Sequence, residues 1–161
     1  AEVMGFMQAN LENRADWSIL AWLRQHWDGP IVIKGVLDPA DAREALRSGA
    51  DGIVVSNHGG RQLDGVPSTA RALPAIVDAV GGALEVLVDG GVRSGLDVAR
   101  MLALGARGVL IGRAWAYPLA ARGEAGVRHA LDLLREELRV AMALTGATTL
   151  ADLTRSSLVD F

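Results

Sequence analysis

The chain contains no cysteine, which excludes disulfides, thiolate metal sites and cysteine nucleophiles and is compatible with a reducing compartment. Lysine is nearly absent as well: of sixteen basic residues only Lys34 is a lysine, and the rest are arginine. Read blandly, this is codon bias with one accidental lysine; read sharply, position 34 needs a compact point charge that a planar guanidinium cannot replace. No run of like charge occurs, and a net charge of -3 gives no reason to expect nucleic acid or an anionic membrane surface as partner. Every apolar run is broken by Gly, Asp or Arg well short of the roughly twenty residues that cross a bilayer. No set of His, Asp and Glu has metal-ligand spacing, so no metal is expected. The start, Ala1-Glu2-Val3-Met4, has neither an initiator Met nor a signal-peptide pattern and reads as a cut into a longer protein.

What is present is a repeating order. Half of the 161 residues are hydrophobic, enough for one core of ordinary size. Four short apolar runs, Ile31-Val32-Ile33, Gly52-Ile53-Val54-Val55, Glu85-Val86-Leu87-Val88 and Gly108-Val109-Leu110-Ile111, have the continuous Val/Ile/Leu character of parallel strands buried on both faces. Amphipathic helices are expected between them. Asp38 caps the first ahead of Pro39, with Ala42, Ala45 and Leu46 inward and Gly49 as its stop. Ser68 caps the second, which carries Leu73, Ile76, Val77 and Val80. Ser94 caps the third, with Leu96, Val98, Met101 and Leu102 inward and Gly105 ending it. A longer helix is expected from about Val127 to Leu144, and a capping box at Thr149 begins a short last one. Upstream, Asp16 caps a helix whose Trp17, Leu20, Leu23 and Trp27 pack against a neighbour. Met4, Met7, Met101 and Met142 read as apolar filler, His26 and His129 as helix-surface residues, and Glu136 and Glu137 as a solvated helix face.

A βα repeat with short loops means a parallel sheet with right-handed crossovers. An open doubly wound sheet and part of an eight-fold barrel both fit. Lys34, His58, Asp89 and Gly112-Arg113 all fall where a strand gives way to the loop before its helix; that position favours the barrel, whose active site lies there, but it is also the ligand face of open sheets and so narrows the site more than the fold. With four strands, the barrel would be half complete.

Two stretches carry chemistry. Ser56-Asn57-His58-Gly59-Gly60-Arg61-Gln62-Leu63-Asp64 places an imidazole, able to move a proton near neutral pH, three residues from a guanidinium, able to grip a carboxylate with two parallel hydrogen bonds. A base and a carboxylate clamp on one loop suggest proton abstraction from a small acid; read blandly, the loop is a polar turn. Asp89-Gly90-Gly91-Val92-Arg93-Ser94-Gly95 and Gly112-Arg113 follow the last two strands. Loops there commonly bind phosphate in (β/α) barrels, with converging N–H groups, a helix N-terminus and here an arginine in each. Neither stretch is a P-loop or a Gly-x-Gly-x-x-Gly fingerprint. The segment Ala114-Trp115-Ala116-Tyr117 reads as a short turn.

Together Ile33-Lys34-Gly35, the segment from Ser56 to Asp64, Asp89-Gly90-Gly91-Val92-Arg93 and Ile111-Gly112-Arg113, in this order and spacing, resemble the FMN-dependent α-hydroxy-acid dehydrogenase and oxidase family. Its bacterial L-lactate dehydrogenase branch matches best, through Gly95-Leu96-Asp97-Val98 and Met142-Ala143-Leu144-Thr145-Gly146. The resemblance implies strands five to eight of a (β/α)8 TIM barrel, one domain over residues 1–161 without its N-terminal half. It implies FMN as cofactor and oxidation of an (S)-2-hydroxy acid, L-lactate first, to the 2-oxo acid. His58 would then be the base and Arg61 the substrate's carboxylate clamp. Lys34 and Ser56 would lie at the flavin, and Asp89, Gly90, Gly91, Val92 and Arg93 with Gly112 and Arg113 at the ribityl phosphate. It also implies quinone, oxygen or cytochrome as electron acceptor, a homotetramer, and a cytoplasmic enzyme that some members tie to the membrane through a loop of the N-terminal half. An aspartate that pairs with the histidine and tyrosines that contact substrate come from that half, and Tyr117 matches none of them. The alternatives are an oxidase of glycolate or mandelate, another FMN barrel such as an isomerase or purine-nucleotide dehydrogenase, which lacks the His-Gly-Gly-Arg loop, and a half-barrel flavin-binding or assembly module without turnover.

Overall fold

The four apolar runs form one parallel sheet in the computed structural model, which describes residues 16–159. The strands are β1 (Val32–Val36), β2 (Gly52–Val55), β3 (Glu85–Val88) and β4 (Gly108–Val109), paired in the order β1-β2-β3-β4. Helices α2 (Pro39–Arg47), α3 (Thr69–Val80) and α4 (Gly95–Ala103) connect them in turn; α1 (Ser18–Arg24) precedes β1 and α5 (Arg113–Thr145) follows β4. Strand order equals chain order, with no reversal. A doubly wound sheet places its ligand at such a reversal, so the uninterrupted order is that of a barrel sector.

Residue chemistry accounts for the elements. Every residue of β2 is buried, since it lies between two neighbours with helices behind it. Ile53, Val55 and Val88 meet Ala42 and Ala45 of α2, Leu73 and Ile76 of α3 and Met101 of α4 in the main core. The expected caps form: Asp38 Oδ1 accepts from Ala40 N at 2.6 Å, Ser68 Oγ from Arg71 N at 3.3 Å, and Ser94 and Asp97 make a reciprocal capping box. Gly81 ends α3 in the left-handed conformation that favours glycine, and Gly49 stands in it one residue past the Ser48 cap of α2. Below the sheet, Arg24 of α1 donates to Gly29 O and Gly49 O and pairs with Asp51, whose carboxylate also accepts from Ile31 N.

Five expectations change. β1 does not end at Ile33 but continues through Lys34 to Val36, and β4 is only two residues long, because its ladder to β3 stops at Val109. Leu96 is 46% exposed, since it stands in the first turn of α4 beyond the sheet; Gly95, Ala99, Met101 and Ala103 make the buried face instead. Trp27 lies past the end of α1 and is exposed, while Trp17 and Leu20 do pack inward. The long helix begins at Arg113 rather than near Val127, so Ala114 to Tyr117 are helical. It is broken at Arg122 and Gly123, where Gly123 takes φ 58° and ψ -143°. Beyond the break it packs on α4, and the 3-10 turns Leu150–Asp152 and Arg155–Ser157 close the described chain. Met4 and Met7 lie outside the described residues. Among those residues no helix is long and apolar enough to cross a membrane.

Candidate active site at the carboxyl ends of the strands

The first site element is an irregularity in β1. Lys34 is in register with Val54 and Val36 with Val55, so Gly35 is an extra residue on the β1 side, a bulge held at φ 104°. Beside it the Lys34 ammonium lies 2.7 Å from Ser56 Oγ and 2.8 Å from Asp89 Oδ2. Three consecutive strands thus place one side chain each on a single point. Ser56 is fully enclosed and does not line the mouth above; it also accepts from His58 N at 3.1 Å and so joins the lysine to the histidine loop. Asp89 commits Oδ2 to Lys34, and its Oδ1 is buried without a hydrogen-bond partner among the described residues.

The second element is the loop after β2. Asn57 Oδ1 accepts from Gly59 N at 3.0 Å, closing a 3-10 turn over His58–Gly60, and His58 takes φ 52°, a positive value no other non-glycine described residue has. Such strain in a residue with reactive chemistry is a mark of a functional loop. The His58 ring leans toward the Gly35 bulge. Arg61 caps the turn, is exposed, and its guanidinium makes no ion pair among the described residues.

The third element is the anion end, and here the structure corrects the sequence reading of the helix N-terminus. That reading aimed the start of α4 at a phosphate. In its first turn Gly95 N donates to Glu137 Oε2 at 2.7 Å and Asp97 N to Ser94 Oγ at 3.1 Å, and just before it Arg93 N and Ser94 N donate to Asp97 Oδ2 at 3.0 and 3.1 Å. Partial burial alone would raise the Asp97 pKa, yet these bonds hold it below the ordinary carboxylate value. Glu137 is therefore not simply a solvated face. The start of α5 differs, because Gly112 offers no side-chain cap and leaves first-turn N–H groups for an outside acceptor. Val92 is buried in the core, so only its backbone can face a ligand. Gly90 carries no side chain for a packing reason: a methyl there would lie 2.8 Å from Asn57 Oδ1 and 3.1 Å from Thr69 Oγ1.

One mouth of about 750 Å³ collects Lys34, His58, Arg61, Asp89, Gly90, Gly91, Val92, Arg93, Gly112 and Arg113; of the expected site residues only Ser56 lies beneath it. Gln62, Leu110 and Trp115 also line it, and sequence reasoning missed them. Asn57 and Thr69, which brace the loops, were missed too, although an Asn followed two residues later by glycine is a recognisable turn signal. A larger, mostly apolar groove adjoins the mouth at Gly90 and Gly91 and runs between the start of α3, α4, the end of α5 and the last turns.

Comparison with known proteins gives consistent findings. Residues 1–160 match the family described as FMN-dependent dehydrogenase. An L-lactate dehydrogenase of Azorhizobium caulinodans is 64% identical over 159 residues, which are 99% of this chain and 42% of that protein. One of Caulobacter vibrioides is 66% identical over 159 residues, with the same two coverages. Among solved structures, mandelate oxidase with 3,3-difluoro-2-hydroxy-3-phenylpropionic acid is 51% identical with a TM-score of 0.86, over 91% of this chain and 44% of that one. A mandelate oxidase variant with the monooxide FMN adduct is 52% identical with a TM-score of 0.84, over 88% and 45%. The chain spans less than half the length of the relatives it matches, so its sheet corresponds to part of their barrel.

Proposed function

The chain belongs to the FMN-dependent dehydrogenase family, and we propose that it forms the catalytic face of an enzyme oxidising an (S)-2-hydroxy acid, L-lactate first, to the 2-oxo acid. The observation that carries this reading is the convergence of His58, Arg61, Lys34 and an arginine-lined anion end on one mouth. The names of its relatives, L-lactate dehydrogenase and mandelate oxidase, support the substrate class.

The residues present fit FMN. Asp89, expected at the ribityl phosphate, has a buried Oδ1 without a donor among the described residues, and a carboxylate, which would repel a phosphate, suits a ribityl hydroxyl instead. Backbone N–H groups at Gly91 and Val92, the uncapped start of α5 after Gly112, and the guanidinium groups of Arg93 and Arg113 are the parts that would take the phosphate. Bound FMN would supply the acceptor for the two electrons that leave the substrate.

The chain's own residues do the rest. Arg61 takes the substrate carboxylate in its planar fork and so fixes the α-carbon in the mouth. His58 accepts a proton at its imidazole and becomes charged as it does so. Lys34, held by Ser56 and Asp89, keeps a fixed cation beside the reacting centre, where negative charge is stabilised without reorganisation. A homotetramer, with quinone, oxygen or cytochrome as the electron acceptor, completes the proposal.

The test is anaerobic flavin absorbance of the purified chain with FMN, before and after L-lactate. Bleaching that a His58→Ala substitution abolishes supports the reading. Bleaching that survives the substitution removes His58 from its role. Flavin that binds but does not bleach favours the second reading, a flavin-holding half-barrel, for which two sheet edges without a strand beyond them among the described residues also speak.

A further inference from the structure

We propose that Gly35 is a positioning residue for His58, acting through the bulge it makes in β1; the proposal rests on the reading of His58 as the base. Gly35 is the extra residue between Lys34 and Val36, and its φ of 104° belongs to glycine. A methyl group added to it would lie 2.8 Å from His58 Nε2, 3.6 Å from Cε1 and 3.8 Å from Cδ2. All three of these nearest atoms belong to the imidazole and none to the backbone, so the space that a side chain at position 35 would fill is occupied by the ring.

Gly29 and Gly105 likewise face one side chain, Trp27 and Val77, but Gly35 faces a titratable ring, and other glycines face backbone. A methyl at Gly95 would meet the backbone of α5 at 2.1 Å, and one at Gly126 would meet Pro118 O at 2.1 Å. Those glycines let two pieces of backbone approach, and their loss is a loss of fold. At position 35 the obstacle is the far end of one side chain, which can swing away, so the cost to the fold there comes from the positive φ and not from a backbone clash. The His58 main chain cannot retreat with it, because its N–H is held by Ser56 Oγ and its turn is closed by Asn57. Rotation of the ring is what remains.

The test uses the histidine ring signals of the chain, which has three histidines, assigned through His58→Ala. In the unsubstituted chain, nuclear Overhauser cross-peaks are expected between the Gly35 α protons and the His58 ring protons. Gly35→Ala is expected to move the His58 ring resonances and leave those of His26 and His129 in place, with FMN affinity within about two-fold, because the anion end is untouched. Flavin reduction by L-lactate should slow by about 100-fold, the penalty of a misplacement near 1 Å, with the substrate concentration for half-maximal rate little changed. Absent cross-peaks, or His58 resonances unmoved by the substitution, overturn the proposal; should Gly35→Ala not fold, the cross-peaks in the unsubstituted chain decide it. Failure of the underlying reading is a separate result: bleaching that persists in His58→Ala removes the base while the ring contact stands or falls on its own signals.

Discussion

Arg113 Nη2 donates to Gly59 O at 3.2 Å, which ties the anion end of the mouth to the loop that carries His58. The bond spans 54 residues of chain and crosses from the start of α5 to the turn after β2. A guanidinium already anchored to a carbonyl needs less ordering when an anion arrives than a free one does.

Arg113→Ala should weaken FMN binding by ten- to a hundred-fold, the worth of a hydrogen bond to a charged group at about 1.5–3 kcal/mol. Arg113→Lys should recover only part of this, since an ammonium keeps the charge and loses the fork. Titration of flavin fluorescence against protein measures both; equal affinities for all three chains would remove Arg113 from the site.

Ser56→Ala should destabilise the chain by about 1–3 kcal/mol, because it leaves the Lys34 ammonium and the His58 N–H short of an acceptor in a fully enclosed place. Urea unfolding at neutral pH is the measurement. A loss within a few tenths of a kcal/mol would mean that water or Asp89 replaces the hydroxyl.

Asp51 should make the α1 clasp acid-sensitive. Hydrogen bonds from Ile31 N and Arg24 hold its carboxyl below the ordinary carboxylate value, so its folded-state pKa is depressed. A depressed carboxylate contributes fully above its unfolded value, and the contribution fades as pH falls through the folded one. Asp51→Asn should therefore lower the urea midpoint at neutral pH and lower it less near pH 3. The same offset at both pH values would contradict the linkage.

Gly95→Ala should cost roughly 3 kcal/mol or more, since its methyl would strike Leu138 N and Leu134 O, which are backbone atoms that cannot step aside. The change should also free the Glu137 carboxylate from Gly95 N. Thermal unfolding followed by circular dichroism reads the loss, and an unchanged midpoint would mean that α4 and α5 cross less closely than described.

Local chemistry made much of this legible. Val- and Ile-rich runs, Asp38, Ser68 and Ser94 as caps, and the stopping glycines are instructions read within a few residues, and the strands and helices they predict are present. That most of the expected residues gather at one mouth follows from the same local signals, since they stand in the loops that follow apolar runs, with Lys34 inside its strand. What escaped was set at a distance or by exceptions. Glu137 looks like one more acid on a polar face until α4 arrives from 42 residues away. Gly35 looked like the end of a strand because glycine after a buried run often is one, whereas here the ladder resumes after it. Ala114 to Tyr117 are helical even with Pro118 next to them, because it falls close enough to the start of α5 that its missing N–H frees only one early carbonyl, and the break waits for Gly123. Leu96 obeyed the helical period but not the sheet's extent.

The plain order of the sheet has a consequence for how the chain comes into being. Each strand pairs with the one before it, one helix earlier in the chain, so no described strand waits for a partner from the far end. Contacts of that span close shorter loops than pairings from end to end would, and synthesis delivers them in chain order. As each βα unit leaves the ribosome, the edge it will join is already built, and the sheet can grow at the pace of translation.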